Sequence, residues 1–298
     1  MSSTPEIGEQ PAAACVNQPN VGGARASSWS LWTRQTLAIL RLEIRKNFLS
    51  RRASLLYLIA GLPLVLLSLL ALFPPPTDEM ENFGQLSQVF AGIYGGLILR
   101  TLVFFGCAWV FMNLFRGEVV DRSLHYYFLA PVRREVLVIG KYLSGLIATI
   151  VLFSITTVGS MLILYFWLFP SESADYFFGG AGASQLLAYL GVTILACIGY
   201  GAVFLIVGLR FRNPIIPGLL LYGWEWLNFL LPPLLKKISV IHYLQSLVPV
   251  PMSEGPFAVL VEPTPAWISL PSLLLFTGIV LFLASLHIRR MEINYAGD

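Results

Sequence analysis

Six runs of mostly apolar residues, each close to the length a bilayer demands, constrain this chain more than any other feature. They cover about 53–73, 91–115, 143–169, 187–209, 214–235 and 267–288. A helix crosses about 30 Å of hydrocarbon with about 20 such residues, and lipid offers backbone polar groups no partner outside the helix itself. Composition agrees. Charged residues are only 12% of the chain and mean hydropathy is +0.74, where a soluble domain carries roughly 25% charge. The chain reads as an all-α integral membrane protein with six spans.

Orientation follows from Lys and Arg, which accumulate in short cytoplasmic loops. Sixteen of the nineteen stand before the first span, between the second and third, after the fourth, or after the sixth. The opposite loops, 74–90 and 170–186, carry Asp78, Glu79, Glu81, Glu172 and Asp175 and no Lys or Arg. Lys236 and Lys237 alone oppose the rule. Both termini are therefore expected in the cytoplasm. A net charge of +3 distributed this way marks topology and gives no nucleic-acid signal.

Outside the spans, three stretches have character of their own. Residues 1–29 are rich in Pro, Ala, Gly, Ser and Asn, which predicts a disordered tail; no early apolar stretch resembles a secretory signal. From Trp29 to Arg52 the pattern is helical, with Leu37, Leu40, Ile44 and Phe48 on one face and Arg34, Arg41, Arg45 and Arg52 on another. That predicts an amphipathic helix resting at the cytoplasmic interface. Ile238–Val250 is apolar but too short to cross, and Pro249, Pro251, Pro256, Pro263 and Pro265 punctuate the stretch leading to the last span. One or two short re-entrant or interfacial helices are expected there. Residues 291–298 form a short cytoplasmic tail.

The interval 116–141, RGEVVDRSLHYYFLAPVRREVLVIGK, is the long polar piece set directly between two spans. Arg116, Glu118, Asp121 and Arg122 offer both signs of charge to a partner, and Leu124, Tyr127 and Phe128 offer apolar anchors at helical spacing. Pro131 ends the first piece, because it lacks an N–H and disfavours helix at the residue before it. Arg133, Arg134 and Lys141 then suit the headgroup region of the cytoplasmic leaflet.

The same residues resemble the signature region of type-2 ABC transporter permeases. In that family a Glu follows the second span, a segment enriched in L-x-x-P-V-x-R comes next, and a Gly-Lys pair opens the third span. Here these positions are Glu118, then Leu129, Pro131, Val132 and Arg134, then Gly140 and Lys141. The interfacial helix, the six spans over residues 30–290 and the long outer loop before the last span extend the resemblance. It implies a bacterial inner-membrane exporter working by alternating access as a homodimer or related heterodimer. It also implies that the segment containing Glu118, Asp121, Arg122, Leu124, Tyr127 and Phe128 is a coupling helix inserted into a cytoplasmic ATPase subunit. No G-x-x-x-x-G-K-[ST] occurs in this chain. ATP and magnesium would therefore sit on that separate subunit, with no cofactor here.

Two ionisable residues fall inside spans, Arg100 and Glu225. Each is roughly 14–16 Å from the start of its span, close to the midplane, where an unpaired charge facing lipid costs about 2.5–3.5 kcal/mol. The family resemblance makes spans 2 and 5 line a translocation cavity at the dimer interface. Arg100 and Glu225 are thus expected to pair or to face that cavity, with Trp224 and Trp226 beside them. Gly92 and Gly96 form a G-x-x-x-G face suited to close helix contact.

An enzyme is the less favoured reading. His125, His242 and His287 are far apart with His242 on the opposite side, and neither H-E-x-x-H nor G-x-S-x-G is present. Cys15, Cys107 and Cys197 have no metal-ligand spacing. The alternatives to a transporter are a non-transporting membrane scaffold or assembly factor, and, behind it, an intramembrane lipid-modifying enzyme.

Overall fold

A computed structural model of the chain describes residues 28–49, 53–73, 83–120, 134–211, 213–250 and 264–289, which are helical with no strand among them. The helices are α1 (Ser28–Leu49), α2 (Ala53–Leu72), α3 (Phe83–Ile93), a π-helical stretch (Tyr94–Val103) and α4 (Phe104–Val120). Then come α5 (Arg134–Leu168), α6 (Pro170–Gly179), α7 (Gly182–Arg210), α8 (Ile215–Trp226), α9 (Pro233–Lys236), α10 (Val240–Gln245) and α11 (Ala266–Arg289). Five continuous helical segments are long and apolar enough to cross a membrane: Ala53–Leu72, Gln85–Phe115, Glu135–Leu168, Gly182–Arg210 and Ala266–Arg289. The chain is an all-α, multi-pass membrane protein.

Side-chain pairs fix the direction of each helix. Thr156 donates to the Ala60 carbonyl at 2.7 Å and Gly159 packs on Leu64, so α2 and α5 run parallel. Tyr142 donates to the Ile198 carbonyl while Thr157 meets Thr193, so α5 and α7 run antiparallel. Tyr94 meets Thr193 and Met112 meets Gly208, which sets the second span parallel to α7. Arg289, the last residue of α11, pairs with Glu135 at the start of α5. The beginning of α2 and the end of α11 therefore lie at one end of the bundle.

It follows that α7 and α11 point the same way, and the chain has to travel back between them. The run expected as one continuous span at 214–235 is interrupted. Helix α8 stops at Trp226, a 3-10 turn runs over Leu227–Leu230, and Leu231 (ψ 149°) and Pro232 (ψ 153°) are extended. The cause is Pro232-Pro233: each proline removes a backbone donor, and the residue before a proline is pushed out of the helical region. The chain then makes α9 and α10, so short helices do precede the last long one.

The centre of the bundle is the second span and α7. In each, 61% of the most apolar stretch is buried, against 28% in α2 and 22% in α11. Rings fill the gap between these two elements: Phe90, Tyr94 and Tyr189 at one end, Phe104, Tyr200 and Phe204 further along. Small residues let the backbones approach. A Cβ added to Gly208 would sit 2.8 Å from Met112 Cα and 2.9 Å from its carbonyl oxygen. Gly92 and Gly96, by contrast, meet nothing within 4 Å, so the G-x-x-x-G face touches none of the described residues.

Gly208→Ala is expected to destabilise the purified protein by about 1–3 kcal/mol, because neither backbone can yield. Gly191→Ala, with open space around it, is expected to be neutral or to stabilise by up to about 1 kcal/mol through helix propensity. Thermal unfolding of the two variants in one detergent checks the contrast.

Candidate functional site

Glu225, on the last turn of α8, is 6% exposed, yet none of the described residues forms an ion pair with it. Four donors converge on its carboxylate instead. Val240 N–H donates to Oε1 at 3.0 Å; Ile241 N–H and Ser239 Oγ donate to Oε2, both at 2.9 Å; Tyr200 O–H donates to Oε2 at 3.2 Å. Val240 and Ile241 open α10, so Glu225 caps the N-terminus of that helix from a distance of fifteen residues. An N-terminus presents unsatisfied N–H groups and partial positive charge, and a carboxylate answers both. Burial disfavours a bare charge, and charge-assisted hydrogen bonds are what make it tolerable here.

Of the two arrangements expected for Arg100 and Glu225, pairing or a shared cavity, no ion pair joins them within this one chain among the described residues. Arg100 lies on the π-helical stretch, half-buried, with its Nε buried and unbonded. The side chain that reaches Glu225 from the bundle centre is Tyr200, whose hydroxyl donates to it. Both oxygens of the Glu225 carboxylate are engaged instead by the amides that open α10 and by two hydroxyls. Trp224 beside Glu225 is half-buried, and Trp226 is 46% exposed on the outside of the bundle. Lys236, one of the two residues that opposed the positive-inside pattern, is 3% exposed and so is not a loop charge facing water.

A second buried charge was expected at the surface. Lys141, placed by the sequence among the headgroups with Arg133 and Arg134, has no exposure at all. Its ammonium donates to Glu43 Oε1 at 2.7 Å and to the Leu114 carbonyl at 3.2 Å, and stands 5.4 Å from the centre of the Phe115 ring. One cation thus joins α1, α4 and α5. On α1, Leu37 is 60% exposed, whereas Glu43 is buried and Ile39 touches Gly140, so the face docked on the bundle is centred on Glu43, with Arg34, Arg41 and Arg45 exposed. An ion pair desolvated this far needs its geometry satisfied on both sides, and α1 is drawn into the bundle to provide it.

Glu43 was missed because a lone acid on an Arg-rich helix looks like a solvated residue. The available signal was that it is the single acidic residue in Ser28–Leu49. Of the polar interval, Asp121, Arg122, Leu124, Tyr127, Phe128 and Arg133 lie outside the described residues. Glu118 falls in the last turn of α4 and Arg134 opens α5, both described for the backbone alone. Among the described residues no three His, Cys, Asp or Glu side chains are grouped to hold a metal ion. Compared with known proteins, the chain matches no family model and no curated sequence.

Two outcomes are expected from these sites. Lys141→Met, leaving Glu43 buried and alone, is expected to cost about 3–5 kcal/mol, while Glu43→Leu with Lys141→Met recovers most of that loss; thermal unfolding of both variants reads the difference. Glu225→Ala is expected to free α10 locally, since hydrogen bonds to a charged group contribute about 1.5–3 kcal/mol. Amide exchange at Val240 and Ile241 would rise at least about tenfold, with the long helices unaffected.

Proposed function

We propose that this chain is the permease subunit of an ATP-binding cassette transporter, driven by an ATPase carried on a separate polypeptide. The observation that carries the reading is the polar interval 116–141 and the way its two ends are held. Its sequence carries the Glu118, Leu129-x-Pro131-Val132-x-Arg134 and Gly140-Lys141 pattern. Its two stems, α4 and α5, are joined by the Lys141 ammonium, which also binds α1. A partner pressing on the interval would move three helices as one body. That is the rigid-body coupling an alternating-access machine needs.

Further support comes from the return path. Helix α8 with its 3-10 turn covers sixteen residues, roughly 26 Å at the rises of the two helix types. We read this as the sixth crossing, shortened, with α9 and α10 as the re-entrant helices behind it. Both termini would then be cytoplasmic, at the end of the bundle where the arginines gather. The working unit is proposed to be a dimer of permeases in a bacterial inner membrane. Arg100, Trp224 and Trp226 would face its central cavity, and outward transport is taken from the family resemblance.

The test is an affinity pull-down from native membranes through a C-terminal tag, with mass spectrometry and an ATPase assay on the eluate. The expected result is recovery of a Walker-motif ATPase, lost in Glu118→Ala and in the double variant Arg122→Ala, Tyr127→Ala. A clean preparation of this chain without any ATPase, in mild detergent, overturns the reading in favour of a scaffold.

A further inference from the structure

A groove of about 580 Å³ lies between α2, the second span and α8. Its floor is one helical stripe of the second span, from Leu102 through Phe105, Ala108, Trp109 and Met112 to Asn113. Ile59 stands on the α2 wall and Leu219 on the α8 wall. The eleven rises from Leu102 to Asn113 correspond to roughly 16 Å, about half of a 30 Å hydrocarbon core. The groove is therefore one leaflet deep. All three elements reach it near the ends where Lys and Arg concentrate: the start of α2, the end of α4 and the start of α8.

The groove cannot stand empty. Its volume falls within the range of roughly 300–1,000 Å³ that ligand pockets occupy, and its lining is apolar apart from Asn113, whose amide donates to the Trp109 carbonyl, so water gains few partners there. Its walls are open to the side, where Leu58 and Val65 on α2 and Ile216 and Leu220 on α8 are exposed. The medium at that depth is hydrocarbon. Charge decides what kind. Arg210, exposed at the end of α7, is four residues before Pro214 at the groove's basic end. In the sequence Arg52, Arg116 and Arg212 stand within three residues of lining positions, while no Asp or Glu stands within four.

We propose that this groove is a lipid site: it holds an acyl chain of an anionic phospholipid from the leaflet on the arginine-rich side, with the headgroup phosphate at the basic end. The lipid is a resident part of the packing between α2 and α8. This assignment rests on the groove and its charges and does not depend on the transporter reading.

The experiment uses the full chain in nanodiscs containing equal parts phosphatidylcholine and phosphatidylglycerol, extracted into mild detergent and weighed by native mass spectrometry. The wild-type chain is expected to retain phosphatidylglycerol in preference to phosphatidylcholine. Leu219→Trp and Ile59→Trp, each placing a ring in the groove from a wall position, are expected to lower retention about tenfold, the equivalent of 1.4 kcal/mol. Arg210→Gln with Arg212→Gln should keep a bound lipid but abolish the preference. Equal retention in wild type and both Trp variants, or no preference in the wild type, overturns the proposal. So does a disulfide between two copies through Leu219→Cys, which would put a second chain in the groove instead.

Discussion

Inside hydrocarbon every polar group has to be answered by the protein, and this requirement governs the unusual parts of the fold. Helices satisfy it residue by residue, but a chain that stops being helical at membrane depth exposes its amides and carbonyls. Glu225 is what permits such a stop. It accepts from the first two amides of α10, from Ser239 and from Tyr200, and so closes the backbone donors that the start of that short helix leaves open. A carboxylate that looked like a costly intrusion is thus part of the backbone's own accounting.

Lys141 meets the same requirement by a different route. Its ammonium is answered by a carboxylate, a main-chain carbonyl and a ring face from two other helices. Buried ion pairs are weak as a source of stability, but they are exacting about geometry. Here the geometry selects one docking of α1 out of the many that an amphipathic surface helix could adopt. The arrangement places a specific joint where α1, α4 and α5 meet.

Much of the architecture was legible in the sequence. Long apolar runs are a one-dimensional signal, and five of the six expected spans fall on continuous helices. The run 214–235 misled because hydropathy counts apolar residues and is blind to Pro232-Pro233. The two buried charges were less legible still. Arg100 and Glu225 were seen as needing partners, which is correct physics, but backbone amides and hydroxyls do not announce themselves as partners in a sequence. Lys141 was assigned to the headgroups because its own neighbours are Arg133 and Arg134; its true counter-charge lies ninety-eight positions earlier, at Glu43. The groove was not legible at all, since its three walls come from three distant segments.

The π-helical stretch from Tyr94 to Val103 has a bearing on any map drawn of the second span. Each of its turns takes in an extra residue relative to an α-helix, so the angular phase of the helix slips steadily along ten positions. A wheel plotted at a constant 3.6 residues per turn would therefore assign the residues before and after this stretch to inconsistent faces. The slip lets one helix keep ring contacts with α7 on both sides of the stretch, Phe90 and Tyr94 on Tyr189 before it and Phe104 on Tyr200 and Phe204 after it. In effect the second span is two differently aimed helices on a single axis, and Arg100 sits on the swivel between them.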